Sequence, residues 1–495
     1  MSTPRKTFLG FTPGQAALLV AGVPWLMHLI AMMRPGLGTD EAHYALYGLK
    51  LDWSYFDHPP LVGWLQAIAL QFSESEFSLR VISMLLAAAT LWALWRLVPR
   101  LFPDASPWVA VGALALMQTG PVLMLWGILL IPEVPLVLVG LLLIHITLDL
   151  LEKDRFGHWL LLGLLLGLAG LSKYTAVTLA LSVVLVFAWE RQWRVLRRPG
   201  PWLAMLLAAV IVSPVLLWNM RHDWASFRYQ IDHGTGGETW SLSRLGTAEG
   251  QQLGYYGPLV FLLTFVALLA SWRERKKRGV RTTYAFTLPV LLIFGYSSGF
   301  DKGLPHWTAL GFIAATPLTA HWLAGHWHRP TLRRICLGWG GAMLLLSLFL
   351  HSELTVPWAP WSDFKNPHAA LTGWDEAARE SQRLQAEMAA TPGPPPHVFI
   401  DNWSRAARLA WYGRPEPVQV LDNKPSQFDL WYGNPEPGDR GILVVWDRDG
   451  EEITAATLSD AKRFRSVKFI KELNININDR RLSRFLFFAC DDYLD

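Results

Sequence analysis

The sequence predicts a polytopic α-helical membrane protein with a small soluble α/β domain at its C-terminal end. Apolar runs of about 20 residues, the length that crosses a hydrocarbon core, recur along the first two thirds of the chain. Only 17% of the 495 residues are charged and 52% are hydrophobic, whereas about 25% charged residues is usual in soluble proteins. The two cysteines and the small net charge of +4 argue against a disulfide framework, a cysteine zinc site and a nucleic-acid partner.

Eleven apolar segments are predicted to span the membrane. The first segment lacks a small-residue cleavage site, so we expect a retained helix rather than a signal peptide. Two short segments, on either side of Lys173, favour a helical hairpin whose tip stays within the bilayer. The predicted spans lie near residues 11–33, 79–98, 104–120, 134–150, 158–171, 174–190, 201–219, 253–272, 282–298, 307–325 and 335–352.

The distribution of lysine and arginine predicts the orientation. Loops at one end of the predicted helices hold most of these residues, including the run at 273–281, so that end is predicted to be cytoplasmic. With eleven spans, the chain after the last span then lies on the outer side. The expected domains are a membrane domain, residues 1–352, and an outer soluble domain, residues 353–495.

The segment after residue 353 differs in composition from the spans. Pro, Asp, Glu and Asn become more frequent and long apolar runs stop. Short apolar runs alternate with helix-like segments, which indicates an α/β domain. The predicted strands are 398–400, 418–421, 428–432 and 442–446, and the predicted helices are 404–411 and 455–464.

Carboxylates and imidazoles cluster directly after the first span, at Asp40, Glu41, His43, Asp57 and His58. Polar groups at such a place are usually kept for chemistry rather than for folding. The functional interpretation is a site at the outer leaflet, in which one carboxylate acts as a base and others bind a cation or sugar hydroxyls. The alternative is that these groups cap interfacial helices and anchor them among lipid headgroups.

Four further basic or acidic positions are candidates. Glu133 stands between two predicted spans, and Lys173 is a compact cation that suits a phosphate. Interfacial placement of Glu133 and snorkelling of Lys173 remain the alternatives. Arg221 and Arg228 lie among Trp and Phe residues in the segment 219–233, a combination that suits a phosphate and a sugar face.

These residues match a known family. The matching pieces are Asp40-Glu41, Tyr55 to Leu61, Pro132 to Leu136, Gly170 to Tyr174, Trp218 to Phe227 and Pro305 to Trp307. In this order they resemble the integral-membrane glycosyltransferases of the GT-C fold. The resemblance is closest to glycosyltransferase family 39, which includes protein O-mannosyltransferases and is related to the lipid A aminoarabinose transferases.

The resemblance implies a polyprenyl-phosphate sugar donor and transfer on the outer (periplasmic) face of a bacterial inner membrane, to a lipid, glycan or protein acceptor. It implies catalysis by Asp40, with Glu41 beside it, and no nucleotide cofactor. The relatives carry Arg and Lys where this chain has His43 and His58. The expected donor and phosphate site comprises His43, His58 and Glu133, with Lys173, Arg221 or Arg228 compensating for the two basic side chains that this chain lacks.

The resemblance also bears on a divalent metal. Asp57 matches an acidic position that holds a metal in some relatives, and His233 resembles a histidine that shares it. No pair of residues has the tight spacing of a helical zinc motif, so the sequence leaves metal dependence open.

The predicted reaction is a single, inverting displacement at the anomeric carbon, with Asp40 as general base. Two other classes stay open from the residues alone. A transporter or flippase would line a path with its intramembrane charges. A membrane-anchored binding protein would use its C-terminal domain alone.

Overall fold

The structure is a computed structural model that describes residues 10–33, 35–235, 239–300, 303–363, 366–450, 452–477 and 479–494, without the side chains of His233 and Thr235. The helices are α1 (Pro13–Ala31), α2 (Thr39–Leu49), α3 (Leu61–Leu70), α4 (Glu76–Leu101), α5 (Trp108–Gln118), α6 (Glu133–Glu152), α7 (Phe156–Ser172), α8 (Val177–Trp189), α9 (Pro199–Arg221), α10 (Ala225–Thr235), α11 (Leu242–Tyr256), α12 (Pro258–Ser271), α13 (Arg278–Ser297), α14 (Ala309–His326), α15 (Pro330–Thr355), α16 (Trp374–Ala389), α17 (Trp403–Gly413) and α18 (Gln427–Tyr432). The strands are β1 (Pro396–Ile400), β2 (Gln419–Val420), β3 (Arg440–Asp447), β4 (Phe464–Ile477) and β5 (Arg480–Tyr493).

The chain forms two compact units. The membrane unit comprises Met1–Ile30, Asp52–Leu65 and Ser78–His351. The sheet unit comprises Ala31–Leu51, Gln66–Phe77 and Ser352–Asp495. The sheet unit therefore combines the end of the chain with two segments that occur much earlier in the sequence.

The membrane unit contains most of the long apolar helices. Within the described ranges, α1, α4, α6, α9 and α15 are long and apolar enough to cross a membrane. The chain is thus a mostly helical, multi-pass membrane protein, which confirms the predicted class.

One predicted span differs from the structure. The chain bends by 108° between α11 and α12, inside the segment 253–272 that was predicted as a single helix. The bend lies at Gly257, whose φ of +81° is costly for residues with a side chain, and Pro258 follows it. The two residues end one helix and begin the next, because proline lacks the N–H that a continuous helix requires.

The sheet unit has a five-stranded mixed sheet with the order β2-β1-β3-β5-β4. The strands β2, β1 and β3 are parallel, whereas β5 pairs antiparallel with both β3 and β4. Phe399, Leu443 and Phe488 are fully buried in its core. Helix α16 buries Trp374 and Ala378 with others at a helical spacing, as an amphipathic helix does. The predicted α/β domain is therefore present.

Two predictions for this unit are wrong. The run 428–432 is not a strand but lies in α18, because Ser426 and Asp429 form a capping box that closes the first helical turn. The segment 455–464 is not a helix but contains turns and a short 3₁₀ helix before β4 begins. The long β4–β5 hairpin was not predicted, since most of β4 is exposed and its strand pattern is weak.

Candidate active site

The sheet unit carries the predicted catalytic pair at the start of α2. Asp40 is exposed, and Glu41 is buried. The Glu41 carboxylate accepts a hydrogen bond from the backbone N–H of Gly38 at 3.0 Å, which closes the first turn of the helix. Both carboxylates lie in the first turn, where the helix dipole stabilises negative charge.

His43 lies on the same helix inside an aromatic cluster. Its ring is 4.8 Å from that of Tyr47, 5.1 Å from that of Trp403 and 6.0 Å from that of Phe428, centroid to centroid. The histidine is 3% exposed. Within the sheet unit it thus helps to pack α2 against α17 and α18, a role that the sequence did not reveal.

In the membrane unit, the segment 52–60 is held by hydrogen bonds from α9 and α10. The indole of Trp218 donates to the Asp52 carboxylate at 2.7 Å. The Ser226 hydroxyl donates to the Tyr55 carbonyl at 2.6 Å, and the Gln230 amide donates to the Asp57 carbonyl at 2.7 Å. These bonds fix the backbone that carries Asp57 and His58.

Asp57 and His58 lie close together on this segment. The His58 Nε2 and an Asp57 carboxylate oxygen are 3.9 Å apart, and each side chain is 17% exposed. Tyr229 of α10 lies near them, and burial together with the Asp57 carboxylate raises its pKa to about 12. Tyr229 therefore stays protonated and can donate a hydrogen bond at neutral pH.

Glu133, Lys173 and His306 form a cluster, which we call the Glu133 triad, in which Glu133 and Lys173 are buried and His306 is half-buried. Glu133 begins α6, Lys173 follows α7, and His306 precedes α14. The Lys173 ammonium forms an ion pair with the Glu133 carboxylate, and the His306 Nε2 lies 3.4 Å from the same carboxylate. The Lys173 ammonium also lies 5.7 Å from the centre of the Trp307 ring.

Charges within the Glu133 triad largely compensate one another. Burial lowers the pKa of His306, although the Glu133 carboxylate acts in the opposite direction. His306 is therefore neutral at pH 7, and the single positive charge of Lys173 balances Glu133. Lys173, a predicted phosphate ligand, thus pairs with a carboxylate forty positions away, and no local pattern in the sequence indicates this pairing.

Arg221 and Arg228 differ from Lys173 in this respect. Both side chains are exposed, and neither forms an ion pair with a carboxylate among the residues that the structure describes. The Arg221 guanidinium lies 5.5 Å from the centre of the Trp53 ring. These two residues thus supply positive charge that the membrane unit does not itself neutralise.

A metal site is not defined by the described residues. Among them, no group of three or more His, Cys, Asp or Glu residues is arranged to hold a metal ion. The side chain of His233, one of the two predicted ligands, lies outside the described part of the chain. Metal binding by Asp57 and His233 stays a prediction.

Known proteins resemble the chain in sequence and in fold. A family model for dolichyl-phosphate-mannose-protein mannosyltransferases matches residues 57–218. The lipid A galacturonosyltransferase RgtD of Rhizobium johnstonii is 24% identical over 431 residues, which cover 84% of this chain and 86% of that protein. The lipopolysaccharide core galacturonosyltransferase RgtA of the same organism is 24% identical over 260 residues, 52% of this chain and 50% of that protein.

The fold agrees with that of a solved membrane enzyme. The crystal structure of ArnT from Cupriavidus metallidurans bound to undecaprenyl phosphate matches with a TM-score of 0.64 and 15% identity, over 94% of this chain and 97% of that chain. The chain is a membrane glycosyltransferase of the GT-C fold. The two galacturonosyltransferases that match in sequence, together with this fold, confirm the predicted enzyme class. The matched family segment begins at Asp57 and includes Glu133 and Lys173.

Proposed function

We propose that this glycosyltransferase transfers a sugar from a polyprenyl-phosphate donor to lipid A or to the lipopolysaccharide core. The observation that carries the proposal is the match to RgtD, which extends over most of both proteins. RgtA is a lipopolysaccharide core galacturonosyltransferase, and the ArnT crystal structure contains undecaprenyl phosphate. A galacturonosyl residue is accordingly the first sugar to test.

The proposed reaction is a single displacement that inverts the anomeric carbon. An acceptor oxygen forms a new bond to this carbon, while the bond to the donor phosphate oxygen breaks and the lipid phosphate leaves with the electron pair. For a hydroxyl acceptor, Asp40 takes the proton, which contributes about 10²–10⁴-fold to the rate. For an acceptor that is already an ionised phosphate, Asp40 orients the acceptor instead.

Glu41 is proposed to position Asp40 rather than to transfer a proton. Its carboxylate accepts the Gly38 N–H and so holds the first helical turn on which Asp40 stands.

Arg221 and Arg228 are proposed as the main ligands of the donor phosphate. Both guanidinium groups lack a carboxylate partner among the described residues, and arginine binds phosphate through paired hydrogen bonds. His58 is proposed to contribute near Asp57, whereas Lys173 and Glu133 are proposed to support this region as an ion pair. His43 is proposed to hold α2 in place through its aromatic contacts.

The proposed membrane arrangement follows the distribution of lysine and arginine. Eleven spans give a membrane domain of residues 1–352, and the soluble domain of residues 353–495 faces the periplasm. Catalysis then takes place on the periplasmic side, and the donor needs no nucleotide. A divalent metal at Asp57 and His233 is an addition to this proposal, and no step depends on it.

Mass spectrometry of lipid A and core oligosaccharide tests the proposal. Cells with the native chain, without it, and with Asp40→Asn are compared, with Glu376→Gln as control because Glu376 is an exposed carboxylate in the first turn of α16. We expect a sugar-sized mass increment that is present with the native chain and the control and absent from the other two. Equal glycolipid masses in all four strains would contradict the proposal.

Turnover by the purified protein in detergent is the second measurement. A transferase converts a polyprenyl-phosphate-linked sugar and lipid A without a sealed compartment, whereas a flippase requires two separated sides. Loss of all activity on solubilisation, with retained lipid transport in vesicles, would favour transport.

A further inference from the structure

Two adjoining cavities lie at one end of the membrane unit, beside the C-terminal half of α4. The basic cavity has a volume of about 630 Å³, and Arg96, Arg100, His145 and Asp149 are among its lining residues. The groove cavity has a volume of about 500 Å³ and is lined by residues of α1, α4 and α5. Trp92, Trp95 and Arg96 line both cavities, so the two form one continuous depression.

The groove cavity is suited to a hydrocarbon chain. Its lining includes Gly14, Ala17, Ala21, Gly22, Leu91 and Leu114, and Arg96 is its one charged lining residue. The lining on α1 extends from Gly14 to Trp25, roughly 16 Å at the rise of an α-helix. This length is close to half of a hydrocarbon core of about 30 Å, which is the depth of one leaflet.

The basic cavity carries an uncompensated positive charge. The Arg100 guanidinium lies 2.5 Å from the Asp149 carboxylate and 3.0 Å from the His145 Nδ1, so Arg100 and Asp149 neutralise each other. Arg96 is exposed, and within the described residues it forms no ion pair or hydrogen bond. A phosphodiester has one negative charge, which balances the single positive charge of Arg96.

The junction of the cavities has the character of a membrane interface. Trp92 is 62% exposed and lies one helical turn before Arg96. Tryptophan prefers the level of the lipid headgroups, with its ring between the hydrocarbon and water. The order along the depression is therefore apolar groove, tryptophan pair and basic pocket, which is the order of acyl chain, glycerol and phosphate in a phospholipid.

We propose that the depression binds one anionic glycerophospholipid. The headgroup phosphate lies in the basic cavity at Arg96, and one acyl chain lies in the groove cavity along α1 and α4. In the proposed membrane arrangement this lipid belongs to the cytoplasmic leaflet, so the site is distinct from the periplasmic transfer reaction. The lipid fills the space between α1 and α4 and stabilises the membrane unit.

The test uses the purified full-length protein in detergent with dioleoylphosphatidylglycerol, dioleoylphosphatidylcholine or inorganic phosphate. Native mass spectrometry counts bound lipid, and thermal unfolding reports stabilisation. We expect phosphatidylglycerol to bind about fivefold more tightly than phosphatidylcholine, as one arginine near an anionic lipid provides. Inorganic phosphate alone should not stabilise the protein.

Two variants separate the charge from the groove. Arg96→Gln removes the positive charge, and Gly22→Leu fills the groove, since a Cβ at Gly22 meets no atom within 4 Å and the helix accepts it. Each should abolish the preference for phosphatidylglycerol while leaving folding intact.

Matched controls are available for both. Arg194→Gln changes an exposed arginine beside Trp193 that lines neither cavity. Gly338→Leu adds the same side chain to α15, again with no atom within 4 Å of the new Cβ. Equal binding of the two lipids, or equal effects of variants and controls, would overturn the proposal.

Discussion

Glu41 and Glu133 are both glutamates in the first turn of a helix, yet they have different partners. Both are buried, and both lie in the first turn, of α2 and of α6 respectively. Glu41 accepts a hydrogen bond from the backbone of Gly38, only three positions away. Glu133 instead pairs with Lys173 and His306, which are forty or more positions away.

This difference shows how each unit satisfies a buried carboxylate. In the sheet unit, Glu41 accepts a local hydrogen bond from Gly38, and its neighbour Asp40 is exposed on the same helical turn. In the membrane unit, Lys173 neutralises Glu133, so the positive charge predicted to bind the donor phosphate is already paired within the protein. Four predictions test the comparison.

The largest expected effect is on catalysis by the α2 pair. Asp40→Asn should lower kcat by about 10²–10⁴-fold, because the amide cannot take the acceptor proton. Glu41→Gln should lower kcat by less than about tenfold, since its amide oxygen still accepts the Gly38 N–H. Turnover of purified protein with a polyprenyl-phosphate-linked sugar measures both. Equal losses of kcat in the two variants would contradict the assignment of Asp40 as the base and Glu41 as a positioning residue.

The next largest effect is on the stability of the Glu133 triad. Lys173→Met leaves a buried carboxylate without its cation and should lower the free energy of unfolding by about 3–5 kcal/mol. The double variant with Glu133→Gln should regain most of this loss, because the unpaired charge is gone. Denaturant unfolding in detergent measures the change.

The control for this variant is an exposed ion pair. Lys277 and Glu274 are 2.6 Å apart with mostly exposed side chains, so Lys277→Met should cost about 1 kcal/mol or less. If Lys173→Met lowers the free energy of unfolding no more than Lys277→Met does, the ion pair between Lys173 and Glu133 is not buried in the membrane.

A smaller effect is expected for the cap of α2. Glu41→Ala removes the acceptor of the Gly38 N–H and should lower stability by about 0.5–2 kcal/mol. Hydrogen exchange of the α2 amides should increase, whereas exchange in α6 should not change. Faster exchange in both helices would mean that the cap affects more than its own helix.

The smallest effect is a pH dependence from His306. Burial lowers its pKa in the folded state below the ordinary value of 6.5, so the unfolded state binds more protons between the two values. Stability from this residue is therefore complete above pH 6.5 and decreases as the pH falls through that window. Apparent Tm between pH 7.5 and 5.5 should change less in His306→Gln than in the native chain.

The exposed His328 provides the control for the pH measurement. His328→Gln should leave the dependence of Tm on pH as it is in the native chain, because this side chain is exposed in the connection between α14 and α15. If the dependence of Tm on pH is the same in His306→Gln as in the native chain, His306 is not the source of that dependence.

Sequence alone was sufficient for the features that depend on local properties. Long apolar runs identified a membrane protein, because a segment that crosses the bilayer must face lipid with apolar side chains and form its backbone hydrogen bonds within its own helix. The acidic and imidazole residues after the first span, together with the motifs that follow, indicated a GT-C glycosyltransferase. The α18 helix shows that local signals can be overlooked, since the Ser426 and Asp429 cap was present in the sequence.

Tertiary structure decided what depends on residues far apart in the chain. The pairing of Lys173 with Glu133, the aromatic contacts of His43 and the hydrogen bonds that hold the segment 52–60 all join distant segments. No periodicity or spacing encodes such contacts, because helix packing determines which distant side chains meet. The sequence by itself thus determined the membrane class and the residue types available for chemistry. Packing decided which of their charges compensate each other within the fold and which remain available for a substrate.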